Sequence, residues 1–538
     1  MTAQPAPLGH FRATPRRLAD LADHFDLTVG FAAPLGDREF MGLSVSTKDL
    51  ATGEIFVALQ GIKAHGIRFA DQAVASGAAA ILTDPAGLAQ LTEQAARPTV
   101  PVLVCAPGVD LRDLMATCAG WFYANPSSTV SVAGVTGTNG KTTTCFFLDA
   151  ILRGAGRTTG IIGTIEMRLG DQTVPAVRTT VEAPVLQNFL AQAVAQGVQN
   201  VSMEVSSHAL SLSRVAGTHF EVVGFTNLQR DHLDFHHTMD EYFEAKAALF
   251  VPGVAGSAVI NIDDDYGWRL ARLTSERGLP GVTIASIEHL DHFQNADWRV
   301  TKQEVTGHGV DFELTGRDGQ TLSSYSPLLG SVNVANAALA TLMARAMHID
   351  LADINRGLRE LAVVPGRMEV VSTKGQPLTI VDYAHTTDAL EFALTSLRAR
   401  QIDEGADGKI YVVFGAAGER DAGKRPDMGR VTMELADFVA VTDDDPYAED
   451  RATIRGHILS GARESAVYQS LSPAERAERL RDFAVREDAM TWALTHAGPA
   501  DTVLIAGRGH ETIQDLDGVQ HELDDRVFAR EILARRPV

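Results

Sequence analysis

The stretch Ser131 to Leu152, SVAGVTGTNGKTTTCFFLDAIL, constrains this chain more than any other. An alternating apolar segment, Val130, Val132 and then Val135, runs into Gly137-Thr138-Asn139-Gly140 and on to Lys141-Thr142. Beyond it Phe147/Ile151 and Leu148/Leu152 recur four residues apart, so the tail predicts an amphipathic helix ending near Gly154. Strand, glycine loop and helix in that order make a phosphate-binding loop. Its backbone N–H groups and helix N-terminus cradle phosphate, Lys141 neutralises it, and the Thr142 hydroxyl reaches a magnesium ion. The strict spacing G-x-x-x-x-G-K-[ST] is not met, since Val135 holds its first position and the extra glycine stands at Gly137.

A loop of this kind needs a large scaffold, and 538 residues with 45% hydrophobic content supply one of about three domains. The formal net charge of -21 argues against a duplex nucleic-acid groove or an anionic membrane as the main partner. Anionic small substrates then require local clusters of Lys and Arg. Cys105, Cys118 and Cys145 lack C-x-x-C spacing and sit in apolar surroundings, which reads as buried thiols in a reducing compartment. No signal peptide and no apolar run of membrane-spanning length is found, so a cytoplasmic location is expected. Met1 to Arg17, rich in Pro and Ala, is expected to fray.

Along the chain, Ile55 to Leu59 and Ala80 to Leu82 are short apolar runs, Phe69 to Ala78 has an Ala-rich helical pattern, and residues 101 to 105 predict a strand. Leu111 to Tyr123 predicts a helix stopped by Asn125-Pro126, which places a domain boundary near residue 125. A second region of alternating strands and helices runs to Val364-Pro365-Gly366. The expected domains are 1–125, 126–364 and 365–538. In the third, four β-rich runs each end in a polar cluster: LTIVD in Asp382-Tyr383-Ala384-His385, KIYVVFG in Gly418-Glu419-Arg420-Asp421, DFVAVT in Asp443-Asp444-Asp445-Pro446, and TVLIAG in Arg508-Gly509-His510-Glu511. A doubly wound parallel sheet places ligand groups at the carboxyl ends of its strands in this way. Any one such cluster is also ordinary turn punctuation; the four together predict a second site.

In the middle region VSMEVSSHAL puts Glu204 near the end of a buried strand, where a carboxylate is costly unless it meets a metal or a base. A magnesium-linked role and a satisfied structural Glu both remain open. Downstream, Arg230, Asp231, His232, Asp234, His236 and His237 precede a helix carrying Lys246. His232 and His236 have helical i, i+4 spacing but lack the Glu of H-E-x-x-H, which weighs against zinc. By itself Lys246 reads as a solvated helix lysine.

Taken together, GTNGKTTT, MEVSSHAL, TNLQRDHLDFH, EAKAALF, VNVANAALA, VPGRME, VDYAHTTDAL, GERDAGKRP, DDDPYAED and the GRGHE loop fall in one order over residues 40 to 535. In that order they closely resemble the Mur ligase family of peptidoglycan synthesis, and most closely the members that add the third residue of the peptide. The resemblance implies an N-terminal α/β UDP-binding domain, a central P-loop ATPase α/β domain and a C-terminal Rossmann-like doubly wound domain. It implies an ATP-dependent amide ligase acting on UDP-MurNAc-L-Ala-D-Glu and a diamino acid, monomeric, with ATP and Mg2+ as cofactors. Lys141, Glu204, His232 and Lys246 would be catalytic. Gly137, Thr138, Asn139, Gly140, Lys141, Thr142 and Thr143, with Asn336, Arg367, Asp382 and His385, would bind ATP. Thr142, Glu204 and a carbamylated Lys246 would hold magnesium, which reverses the bland reading of that lysine.

For the UDP-linked substrate the resemblance implies Thr47, Thr179, Thr180, Ser206 and Arg214; for the incoming amino acid, Arg420, Asp444, Asp445, Pro446, Tyr447, Gly507 and Glu511. Members that use meso-diaminopimelate typically show D-N-P-R where this chain has Asp444-Asp445-Pro446-Tyr447. Tyr447 cannot supply the Arg charge that forks onto a second carboxylate, and the extra Asp favours a side-chain ammonium, so L-lysine or L-ornithine is the expected acceptor. Glu511 in the GRGHE loop resembles the diaminopimelate form, which is the alternative, although Arg508 stands where Lys is usual. Thr387 stands where the family has Pro, and Ser46-Thr47-Lys48 where it has Asp-Ser-Arg. Two rivals remain. A folylpolyglutamate synthase-like ligase would not need the N-terminal domain or the DDDPYAED and GRGHE pair, and a nucleotide-switch binding protein would carry an N-K-x-D motif, which is absent.

Overall fold

Apolar runs broken by Gly, Pro and Asp fold here as strands of three successive sheets, each covered by helices on both faces. The computed structural model describes all residues except 1–10, 12, 32–34, 62–63, 94–97, 177, 287–292, 307–308, 362, 404, 406 and 537–538. The first sheet is ordered Thr28–Phe31, Val102–Val104, Ala80–Thr83, Ile55–Val57, Leu43–Ser44; its first pair is antiparallel and the rest parallel. The helix Leu111–Phe122 packs against it and ends before Asn125, whose left-handed φ of 51° turns the chain into Pro126. Contrary to the expectation that Met1 to Arg17 frays, Arg16–Arg17 pair with Glu39–Phe40, and the Arg16 guanidinium lies 4.1 Å over the Trp121 ring. Residues 1–10 and 12 of that call lie outside the described residues.

The central sheet has eleven strands, antiparallel at both ends and parallel through the middle. The Ser131–Thr136 strand lies between Asn200–Glu204 and Phe220–Phe225, parallel to both. Strand periodicity splits its side chains: Val132 joins Met203 and Phe225 on one face, while Ala133 and Val135 pack with Phe147, Leu148 and Val334 on the other. The helices Lys141–Gly154 and Ser331–Ala346 therefore cover one face, and Ala183–Ala195 and Met239–Ala247 the other. Parallel registers that set Glu204 beside Val135 and Phe225 beside Thr136 bring the carboxyl ends of three strands together at the glycine loop.

The third sheet is ordered Glu369–Val370, Leu378–Asp382, Thr502–Ala506, Ile410–Phe414, Phe438–Thr442, Leu480–Phe483, parallel after its first pair. Ile410, Val412 and Phe414 fill one face, and Tyr411 and Val413 the opposite one, so it is doubly wound. The four polar clusters of the sequence thus leave from one edge. Behind that edge Arg486 and Asp525 form a fully buried ion pair at 2.7 Å. All three cysteines are buried and free. Among the described residues no helix is long and apolar enough to cross a membrane.

Candidate active site

The glycine loop adopts its shape because two positions exclude a side chain. Gly137 has φ of 148°, and a Cβ there would collide with the Thr226 hydroxyl; Gly140 caps the Lys141–Gly154 helix at φ 88°, where a Cβ would strike Asn336 Oδ1. The next strand end grips the loop. The Asn139 N–H donates to Asn227 Oδ1 at 3.0 Å, Asn139 Nδ2 to Gln229 Oε1 at 2.7 Å, and the Thr226 hydroxyl to Asn139 O at 2.6 Å. Asn227 and Gln229 lie in the TNLQRD motif, but the sequence assigned them no role.

Beside this loop opens a cleft of about 280 Å³. Thr138 to Thr143, Thr179, Glu204, Ser206 and His232 line it from the central unit, together with Asn336; Arg367, Asp382 and His385 line it from the third. Lys141 Nζ donates to Gly137 O at 3.0 Å and Thr138 O at 2.9 Å, poised over the loop. Glu204 gathers hydroxyls and an amide: Thr142 Oγ1 donates at 2.9 Å, the Thr164 N–H at 2.7 Å and Thr164 Oγ1 at 3.0 Å. Thr164, in the turn after the Thr159–Ile162 strand, escaped the sequence reading because no motif marks it.

Lys246 is not solvated. It is 1% exposed, lies 4.6 Å over the Tyr242 ring and donates to Gly137 O at 2.7 Å. Burial, with the nearby Lys141 charge, pushes its pKa well below that of an ordinary lysine, and burial lowers Lys141 as well. Histidines 232 and 236 do not form a metal pair. His236 Nε2 meets Ser207 Oγ at 2.9 Å, and His232 lies 3.5 Å from Asp231. Burial keeps both rings neutral, His236 down at about 4.

The third unit closes the cleft. Arg367 Nη2 donates to Thr142 Oγ1 at 3.2 Å and its guanidinium lies 4.4 Å over the Tyr383 ring. Asp382 accepts from the Met368 N–H at 2.7 Å and the Ala384 N–H at 2.9 Å, while burial raises its pKa and lowers that of His385. The Tyr383 hydroxyl donates to Glu511 Oε1 at 3.3 Å and so joins this cleft to a second pocket. There carboxylate oxygens of Asp444, Asp445 and Glu511 lie within 4.8 Å of one another. Gly507 is a glycine because a Cβ would sit 2.6 Å from Asp444 Oδ2. Tyr447, next to Pro446, faces the exposed Arg420, whose guanidinium is 5.8 Å from the ring. Burial, with Asp444 alongside, lifts the Glu511 pKa to about 8.

The residues expected for the UDP-linked substrate are only partly gathered. Thr180 Oγ1 donates to Glu204 O at 2.8 Å, and Arg214 donates to Thr180 O at 3.2 Å and pairs with Glu182 at 2.9 Å. With Arg178 and Arg112 on the same Glu182, this makes the local basic cluster that an acidic chain needs for an anionic substrate. Thr47 stands apart in the first unit, where its carbonyl accepts from Ser76 Oγ at 3.5 Å; it does not line the cleft.

Comparison with known proteins agrees with this arrangement. Three family models match in succession: "Mur ligase family, catalytic domain" over residues 39–119, "Mur ligase middle domain" over 135–344 and "Mur ligase, glutamate ligase domain" over 366–509. The UDP-N-acetylmuramoyl-L-alanyl-D-glutamate–2,6-diaminopimelate ligase of Streptomyces coelicolor is 40% identical over 99% of both chains, and that of Corynebacterium glutamicum 39% identical over 94% of both. A solved structure of a ligase of that name aligns with a TM-score of 0.62 at 30% identity, over 94% of this chain and 96% of that one. A folylpolyglutamate synthase from Mycobacterium tuberculosis, solved with ADP and AMPPCP, shares the fold at a TM-score of 0.56 and 17% identity, over 79% of this chain and 95% of that one. Both the full-length matches and the three models in family order point the same way: the chain belongs to the Mur ligase family.

Proposed function

We propose that this ligase uses ATP to join a diamino acid to the D-glutamate of UDP-MurNAc-L-Ala-D-Glu, with domains at 1–125, 126–364 and 365–538, as a monomer in the cytoplasm. The observation that carries the reading is the single chain of contacts from Thr142, next to Lys141 in the loop, through Arg367 and Tyr383 to Glu511. It links a phosphate loop to an acidic pocket suited to an amine. A carboxylate does not accept an amine at neutral pH, so the D-glutamyl carboxylate must first become an acyl phosphate. Lys141 and the loop amides bind and orient the phosphates, and Arg367 brings a second cation to the same place. The γ-phosphoryl of ATP passes to the D-glutamyl carboxylate and ADP leaves. The unprotonated amine of the acceptor then attacks the acyl carbon and phosphate leaves with the amine's proton, while Asp444 and Glu511 hold the acceptor's other, ammonium, end. His385, Asp382 and Arg367 close the cleft from the third unit and exclude water, which would otherwise waste the acyl phosphate.

The donor set fits magnesium. Thr142 Oγ1 and Glu204 Oε2 are hard oxygen donors 2.9 Å apart, as a small divalent cation requires. An ammonium cannot be a ligand, so Lys246 would join them only as a carbamate, and its buried, neutral-leaning amine is the form that adds CO2. Magnesium, when bound there, would neutralise charge on the phosphoryl oxygens.

The relatives' names support 2,6-diaminopimelate as the acceptor, the alternative in the sequence reading, and Arg420 beside Tyr447 offers its second carboxylate a cation. The Asp444-Asp445-Glu511 cluster favours the other reading, L-lysine or L-ornithine. Phosphate release from ATP, measured with UDP-MurNAc-L-Ala-D-Glu and each amino acid in turn, decides. Turnover is expected with a diamino acid only. Release indifferent to the muramoyl substrate would sink the ligase reading, and turnover with lysine or ornithine but not meso-diaminopimelate would reverse the specificity.

A further inference from the structure

Arg508, part of the polar strand end 508–511, has a wholly buried guanidinium bonded to Asp445 of the acceptor pocket. Its Nη1 donates to Asp445 Oδ1 at 2.9 Å and its Nη2 to Leu523 O at 3.3 Å. The same Asp445 oxygen accepts the Asp515 N–H at 2.9 Å. Asp515 lies on the strand Ile513–Leu516, which forms a hairpin with Val519–Glu522. This hairpin also meets the 443–447 turn at a Tyr447 to Leu516 bridge, and Gln514 Nε2 donates to Asp444 O at 2.7 Å. The turn is thus held to the hairpin through one clamped aspartate. Among the described residues neither Asp444 nor Glu511 is ion-paired, so the three carboxyls differ: Asp445 has its cation, whereas Asp444 accepts the Asp445 N–H at 2.9 Å and Glu511 the Tyr383 hydroxyl at 3.3 Å, and both are left for an ammonium to pair with.

We propose that Arg508 is a positioning residue for the acceptor: by clamping Asp445 it fixes the 443–447 turn against the hairpin and leaves Asp444 and Glu511 as the carboxylates that receive the ammonium group. The inference rests on the acceptor-pocket reading and extends it to a residue outside the pocket wall. It requires that Arg508 and Asp445 act on Glu511 with opposite signs. The groups facing Glu511 are Asp444, Asp445 and Arg508, the Tyr383 hydroxyl, and Tyr447 with Arg420 beyond it. His510, packed on Tyr383, stays neutral because burial holds it near 3. Asp445 raises the Glu511 pKa and Arg508 lowers it.

Two measurements on the full chain test this. Carbodiimide reacts with a protonated carboxyl, so the pH at which labelling of the half-buried Glu511 falls to half, followed by mass spectrometry, reports its protonation without any turnover. Arg508→Met should move that midpoint up by about one unit, Asp445→Asn should move it down, and Arg508→Lys should keep it near the wild type. In phosphate-release kinetics Arg508→Met should raise the KM for the diamino acid about tenfold and leave the KM for ATP unchanged. Midpoints that move in the same direction, or not at all, overturn the proposal; so does an equal rise in both KM values. Should Arg508→Met fail to fold, the downward shift in Asp445→Asn alone decides. A wild type that ignores diamino acids but shows the opposed labelling shifts would refute the substrate and keep the clamp.

Discussion

Replacing Lys246 tests the least obvious group in the cleft. The side chain runs from the Met239–Ala247 helix through the core to Gly137 O, so Lys246→Ala removes a buried arm rather than a surface charge. The three methylenes lost, at about 0.8 kcal/mol each, cost roughly 2.4 kcal/mol of burial. Loss of a desolvated amine offsets part of that, and Gly137 O keeps its bond from Lys141 at 3.0 Å. The expected drop in stability is therefore about 1–2 kcal/mol, small enough to leave a folded protein. Activity should fall much further, by about 10²–10³-fold, the usual effect of losing one preorganised electrostatic group. If the working form is a carbamate, the space vacated by the Cγ to Nζ arm admits a short carboxylic acid. Acetate or propionate should then restore part of kcat in Lys246→Ala but not in Lys246→Met, whose stem fills the hole. Phosphate release with and without added acid, alongside urea unfolding of both variants, measures each quantity. Full activity in either variant, or rescue of the Met variant equal to that of the Ala variant, would refute the carbamate role.

Gly140→Ala should weaken nucleotide binding: a left-handed alanine costs about 1–2 kcal/mol, and its Cβ would push on Asn336 Oδ1, so the KM for ATP should rise at least about tenfold. A wild-type KM would show that the loop shape does not hold the phosphates, and adding Asn336→Ala should relieve the collision but not the backbone strain. Asp525→Asn leaves Arg486 as a buried unpaired cation and should cost about 3–5 kcal/mol in denaturant unfolding of the third unit. A loss below about 1 kcal/mol would mean that water or a shifted neighbour satisfies the guanidinium.

By itself the sequence determined what is local. The order strand, Gly-rich loop, helix at 131–154 follows from the period of its apolar residues, and the four polar strand ends of the third sheet follow from Asp, Gly and Pro after short apolar runs. Glu204 was legible because a carboxylate at the end of an apolar strand needs a partner. Only tertiary structure decided the rest. Lys246 looked like surface because its helix is polar in sequence, and its burial depends on Tyr242 and the distant Gly137. Thr164 carries no local signature and reaches Glu204 across 40 positions of chain; Arg508 was legible as part of a polar strand end, but not its bond to Asp445 across 63. Thr47, expected at the UDP-linked substrate, lies in the first unit, outside the lining of the nucleotide cleft. Periodicity and turn chemistry act over a few residues, whereas the charge a pocket presents is set by which side chains the packing of separate strands brings within a few ångströms.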